Sequence, residues 1–223
     1  MIKQEIDNIF YGQLEQDKFI VSVLAKKHNG YFLELGSNHP KKRSNTFLLE
    51  KKYGWKGIMI DSNINFLPLY KKDRQESVHI IHDASTIDYS TLLSNSKAPP
   101  IIDYLQIDLE VSDNSTINTL LSLKTHVMST YKFTTITFEH DIYRQDWQYV
   151  ITRARSRKIF ADAGYLRVFS DVGNLKSGPF EDWYVYPDLV DMSYIKKLQD
   201  INIKNYTRVK DSVPVLYYQN ILY

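Results

Sequence analysis

Tyr31-Phe32-Leu33-Glu34-Leu35-Gly36-Ser37-Asn38 sets how the rest of the chain reads. Residues 31–35 are an apolar run broken only by Glu34, the pattern of a strand buried on both faces. Gly36 closes the run where the backbone needs a positive φ or a close approach to a neighbour. Ser44 then offers an N-cap for a helix through Leu48, Leu49 and Tyr53 that stops at Gly54. The same alternation recurs outward. Residues 57–60, 78–82, 102–107, 134–138, 165–169 and 183–186 read as strands. Residues 10–27, 66–72, 115–123 and 147–163 read as helices, the last ended by Gly164. Strands alternating with helices predict an α/β fold: a mostly parallel sheet with helices on both faces.

Composition supports a folded enzyme-sized chain. The 223 residues suffice for one sizeable core, read as an N-terminal helical segment over residues 1–28 and one domain over 29–223. Lys and Arg total 28 against 26 Asp and Glu, and a net charge of +2 argues against a protein held to nucleic acid by its overall field. With no cysteine, disulfides, thiolate metal sites and a cysteine nucleophile are excluded. Charged residues interrupt every apolar run near the N-terminus, and no stretch approaches the roughly 20 apolar residues of a membrane span. The expectation is therefore a soluble, cytoplasmic protein without a signal peptide. The 17 tyrosines suit a sugar-binding rim or the edge of a core equally. Residues 187–223, with Tyr206, Tyr217, Tyr218 and Tyr223, read as a lid, a dimer contact or a tail, so homodimerisation is left open.

In open α/β sheets ligands bind at the carboxyl ends of the strands, where the strand order reverses. Four of the five such ends expected here carry a carboxylate, more than turn-forming alone requires. A dinucleotide loop needs further glycines after Gly36, and Asn38 and Lys41 stand in their places. S-adenosylmethionine (SAM) has no pyrophosphate and makes smaller demands. Asp61, ending the second strand, can accept from the ribose hydroxyls. Asp83, ending the third, can accept from the adenine amino group.

Several segments in order carry a family resemblance: Gln16-Asp17-Lys18-Phe19, residues 30–38, Ser44-Asn45-Thr46, Leu49-Glu50 and Gly54-Trp55-Lys56-Gly57-Ile58. They continue with residues 102–110, Ile136-Thr137-Phe138-Glu139-His140-Asp141, Gly164-Tyr165 and Glu181-Asp182-Trp183-Tyr184-Val185. This series resembles the FkbM-type family of SAM-dependent methyltransferases. The resemblance implies a Rossmann-like class I fold, seven strands with the last antiparallel, and O-methylation of small molecules or glycans, often at a sugar hydroxyl. It implies cofactor contacts at Gln16, Glu34, Gly36, Ser37, Asn38, Asn45, Asp61, Ser62, Asp83, Ala84 and Asp108, with S-adenosylhomocysteine as product. The chain departs from the family at the basic loop His39-Pro40-Lys41-Lys42-Arg43 and at Val111, where the family tends to have glycine.

Methyl transfer to an alcohol needs placement of the oxygen and removal of its proton. Asp108 and His140 are the expected catalytic groups, with Glu139 as a further candidate. Adjacent strand residues face opposite ways, so Glu139 and His140 are not expected in one pocket. Glu110, Asp182 and Trp183 are expected to bind the acceptor, Trp183 by stacking. A Mg²⁺ ion on Asp108 with Glu139 or His140 is the less favoured arrangement, and no metal ligand is assigned. Arg153 and Arg157 share a helix face, read as solvated. The alternatives are a ribose methyltransferase using Tyr143, Trp147 and Tyr149 against RNA, and a non-catalytic methyltransferase-like binding module.

Overall fold

A computed structural model describes residues 10–174 and 178–206. Its strands are β1 (Tyr31–Leu35), β2 (Lys56–Asp61), β3 (Val78–Ile81), β4 (Ile101–Ile107), β5 (Lys132–Glu139), β6 (Leu166–Asn174) and β7 (Gly178–Val185). They form one sheet in the order β3-β2-β1-β4-β5-β7-β6. The first five run parallel, and β7 enters antiparallel between β5 and β6. The chain leaves β1 toward β2 and β3, then returns to β4 on the other side. That reversal puts the ligand-binding crevice above the ends of β1 and β4.

The helices are α1 (Gln16–Val23), α2 (Phe47–Tyr53), α3 (Leu67–Asp73), α4 (Tyr89–Asn95), α5 (Ser115–His126), α6 (Trp147–Asp162) and α7 (Met192–Tyr206). Both sheet faces are covered, which is why the strands are apolar without alternation. Leu33, Ile58, Ile60, Leu105 and Ile136 pack with Leu93 of α4, Leu120 of α5 and Phe160 of α6. Phe32, Met59, Tyr104 and Trp183 pack on the other face with Phe19 of α1, Leu49 of α2, Tyr70 of α3 and Ile195 of α7.

Local chemistry sets the boundaries. The helix expected over residues 10–27 shortens to Gln16–Val23, because Glu15 (φ 60°) precedes it in the left-handed region and Ala25 and Lys26 follow it there. Ser44 Oγ accepts the Phe47 N–H at 3.1 Å, and Gly54 and Gly164 (φ 69° and 87°) end α2 and α6. Two features are additional to the sequence reading. Helix α4 follows Asp88, whose carboxylate accepts the Thr91 N–H. Residues 192–206 form α7, which buries Ile195 and Leu198 in the core, so this part of the C-terminal segment is structural cover. Tyr217, Tyr218 and Tyr223 lie outside the described residues. No helix among the described residues is long and apolar enough to cross a membrane.

Candidate active site

The crevice begins at Gly36. A Cβ there would lie 1.7 Å from the Asp108 carbonyl oxygen, and φ is +81°, so β1 and β4 approach at a distance only glycine allows. The N–H groups of Gly36 and Ser37 donate to the Ile60 carbonyl at 2.9 and 3.1 Å. Asn38, also left-handed, donates its N–H to Asp61 Oδ2 at 2.7 Å, and its carbonyl accepts from the Tyr70 hydroxyl. Asp61 Oδ1 accepts the Asn63 N–H at 2.8 Å. Asp83 Oδ1 accepts the N–H and hydroxyl of Ser85 at 2.9 and 2.7 Å, and these bonds hold its carboxyl below the ordinary range.

Above these turns opens a cleft of about 470 Å³. It brings together Gly36, Asp61, Ser62, Asp83, Ala84, Asp108, Glu110 and Glu139 from the expected set. His82, Leu109, Asp113, Ser115 and Asp141 complete it; of these, His82, Leu109 and Asp141 stood at or beside expected strand ends, and Asp141 alone among the three is an acid. Seven of the thirteen lining residues are Asp or Glu, and none is Lys or Arg. That charge pattern favours a cationic ligand and opposes a polyanion.

Asp108 and Glu139 meet within hydrogen-bonding reach at one end of the cleft. Asp108 opens to the cleft, yet the protein packed around it removes much of its bulk water. This desolvation, with Asp141 and Asp61 nearby, pushes its carboxyl up to about 6. Desolvation and the Asp108 charge push Glu139 well above the ordinary range. Both carboxyls are pushed up and they stand within reach of each other, so the pair titrates as a unit and sets a proton acceptor beside a proton donor. Glu110 is tied back locally: its Oε1 accepts the Ser112 N–H and hydroxyl at 2.9 and 2.7 Å.

Four expected cofactor residues lie behind the cleft wall. Gln16, Glu34, Ser37 and Asn45 are buried; Asn38 is exposed at the shoulder, outside the lining. Gln16 Nε2 donates to Glu181 Oε1 at 2.8 Å, Thr46 Oγ1 to Glu34 Oε2 at 2.8 Å, and Asn45 Nδ2 to Gln106 Oε1 at 2.7 Å. Burial pushes Glu34 up to about 7 and Glu181 up to about 8. Glu181 pairs with Glu139 across β5 and β7, so this layer supports the Asp108–Glu139 end of the cleft from beneath.

Three expectations are corrected. His140 is fully buried on the opposite side of β5 from Glu139, with Nδ1 accepting the Ile142 N–H at 3.3 Å and Nε2 3.4 Å from Asp182 Oδ1. It cannot reach an acceptor in the cleft. Asp182 is equally buried and accepts two hydrogen bonds from Arg157, at 2.6 and 2.8 Å. Burial pushes Asp182 up, but the bonds from Arg157 and His140 outweigh it and hold the carboxyl well below the usual range. Trp183 is core, its ring 4.9 Å from that of Phe19 and 5.7 Å from that of Phe169, so no sugar can stack on it. Among the described residues only His140, Asp171 and Asp182 bring three ligand-type groups within 4.8 Å, and Arg157, 2.9 Å from Asp171, already neutralises that cluster. The helix face of Arg153 and Arg157 thus meets β6 and β7, not solvent. A larger hollow, about 620 Å³, lies near this cluster between α6 and α7, away from every strand-end acid.

The architecture matches known structures. A TehB-like SAM-dependent methyltransferase from Corynebacterium glutamicum superposes with a TM-score of 0.50 at 10% identity, over 80% of this chain and 89% of that one. The fold is that of the class I SAM-dependent methyltransferases. A protein from Clostridium thermocellum provisionally described as an rRNA methylase gives the same TM-score at 11% identity, over 80% of this chain and 99% of its own. No protein-family model matches the chain, and no curated protein matches it in sequence.

Proposed function

We propose that this chain is a SAM-dependent O-methyltransferase that acts on a hydroxyl of a sugar or glycan. One observation carries the reading: within the class I fold, the cleft that presents Asp61 and Asp83 also presents the Asp108–Glu139 pair. The residues fit the cofactor. Gly36 lets β1 and β4 close together beneath the cleft, Asp61 suits the ribose hydroxyls, and Asp83 takes both its Ser85 bonds on Oδ1, which leaves Oδ2 to accept from the adenine amino group. The acid lining suits a ligand that carries a sulfonium and an ammonium. When bound, SAM supplies an activated methyl group.

The chain's own part is positioning and proton removal. Ionised Asp108 accepts the proton of the acceptor hydroxyl, while protonated Glu139 donates to Asp108 or to the acceptor and fixes its orientation. A positioned base of this kind typically contributes about 10²–10⁴-fold. The sugar acceptor rests on the sequence resemblance to FkbM-type enzymes. Seven carboxylates in the cleft weigh against a ribose in RNA as acceptor.

Calorimetry with S-adenosylhomocysteine tests the first step. Wild-type protein is expected to bind it, and Asp61→Ala and Asp83→Ala each to weaken binding by about tenfold, the cost of a hydrogen bond to a charged group. Absence of binding to the pure protein overturns the reading.

A further inference from the structure

The segment leading from β5 into α6 displays side chains that the fold has no packing reason to display. Trp147 is 73% exposed and Tyr143 39%, while the other two tryptophans, Trp55 and Trp183, are at 1% and 0%. Between them Arg144 is held in place instead of waving in solvent. Its Nε donates to the Tyr143 hydroxyl at 3.2 Å and its NH1 to the Tyr149 hydroxyl at 3.4 Å. Its guanidinium lies 5.7 and 5.5 Å from the Tyr143 and Tyr149 ring centres. Tyr143 in turn rests on β7 where Gly178 leaves room: a Cβ there would fall 2.8 Å from that of Tyr143.

The backbone that makes this display is strained. Asp141 (φ 49°) and Gln145 (φ 60°) bracket the short turn in the left-handed region, and neither is glycine. Strain of this kind persists where surrounding structure enforces it, and it gathers at functional sites. The display is also part of the cleft's rim. Asp141, 3.9 Å from Arg144, lines the cleft, and Gln148 Nε2 donates to the carbonyls of Val111 (2.9 Å) and Ser112 just beyond Glu110. A fixed cation held between the exposed Tyr143 ring and the buried Tyr149 ring, with the exposed Trp147 three residues on, thus stands beside a cavity lined with acids.

We propose that Tyr143, Arg144 and Trp147 form the platform for an anionic sugar unit of the acceptor, adjacent to the unit that is methylated. The proposal rests on the glycan reading above and names its substrate class: a glycan that carries a carboxylate. The aromatic faces match the apolar faces of a pyranose ring, and a guanidinium pairs a carboxylate with two parallel bonds. Trp, Tyr and Arg are also the residues that dominate binding energy at recognition surfaces. RNA would meet the same aromatics, but its phosphates would then face the carboxylates of the cleft.

The test uses the full chain with saturating S-adenosylhomocysteine on an array of neutral, uronate-bearing and sialylated oligosaccharides and a single-stranded RNA. The best binders are then titrated by calorimetry into the wild type and each variant, with the quenching of Trp147, the sole exposed tryptophan among the described residues, as a second readout in the wild type and Arg144→Gln. Binding is expected among the acidic glycans. Arg144→Gln should weaken it by about tenfold and Trp147→Ala by at least as much, with affinity for S-adenosylhomocysteine unchanged. Preference for RNA, binding of neutral glycans alone, binding of no glycan, or acidic-glycan binding indifferent to both substitutions overturns the platform. So does a wild-type dimer that Trp147→Ala dissociates, which would make the face a self-association surface. Cofactor binding without glycan binding removes this inference and leaves the methyltransferase reading standing. Glycan binding without cofactor binding does the reverse.

Discussion

Asp108 illustrates how much one position depends on its neighbours. The sequence places it at the end of an apolar run and gives two acids and a histidine as potential bases. Only the register of β5 decides among them, by sending Glu139 into the cleft and His140 away from it. With Asp108 as base, kcat/KM should fall as pH drops below about 6, because the proton returns to the group that must accept one. Asp108→Asn should lower turnover by about 10²–10⁴-fold while leaving S-adenosylhomocysteine affinity nearly intact, measured by single-turnover kinetics and calorimetry. Gly36 makes the complementary case. Its role was legible because glycine after a strand has few meanings, and the space confirms it: Gly36→Ala is expected to abolish cofactor binding or folding, seen by calorimetry and circular dichroism.

At the level of elements, the strand–helix alternation was readable because both faces of the sheet are covered and the strands are apolar throughout. The same property hid the fate of Asp182 and Trp183. Where both faces are buried, polarity no longer marks which side a residue faces, so an acid and an indole next to each other resembled a sugar site. They hold α6 and α1 to the sheet instead. Asp182→Asn should destabilise the protein by about 2 kcal/mol in denaturant titration, because it removes the buried charge that accepts two Arg157 bonds and leaves Asp171 as the carboxylate partner. Affinity for S-adenosylhomocysteine should not change. Helix α7 escaped notice for another reason: over residues 192–200 only Ile195 and Leu198 are buried, too few to mark a period among polar residues.

For the whole molecule, buried acids set the response to pH. Burial pushes Asp17 and Glu34 up to about 7 and Glu181 up to about 8. The folded protein therefore binds more protons than the unfolded chain between about 4 and 8, and this part of its stability declines as pH rises through that window. Asp182 acts oppositely, stabilising above the ordinary carboxylate range and losing that contribution on acidification. The midpoint of thermal unfolding is expected to peak near about pH 5 and fall toward 8, and Glu181→Gln should flatten the fall. None of this follows from the near-zero net charge, which averages a strongly acidic cleft against cations elsewhere.

The antiparallel entry of β7 between β5 and β6 also orders events during synthesis. Residues 31–108, which contribute Gly36, Asp61, Asp83 and Asp108 to the cleft, leave the ribosome before β5 and β7 do. Glu139 waits for Glu181 to pair beside it, and Gln16 waits 165 positions for the same residue. A nascent chain can thus hold the Asp61 and Asp83 end of the cleft together before the Glu139 end exists, and the Asp108–Glu139 pair reaches its final setting only when β7 is threaded home.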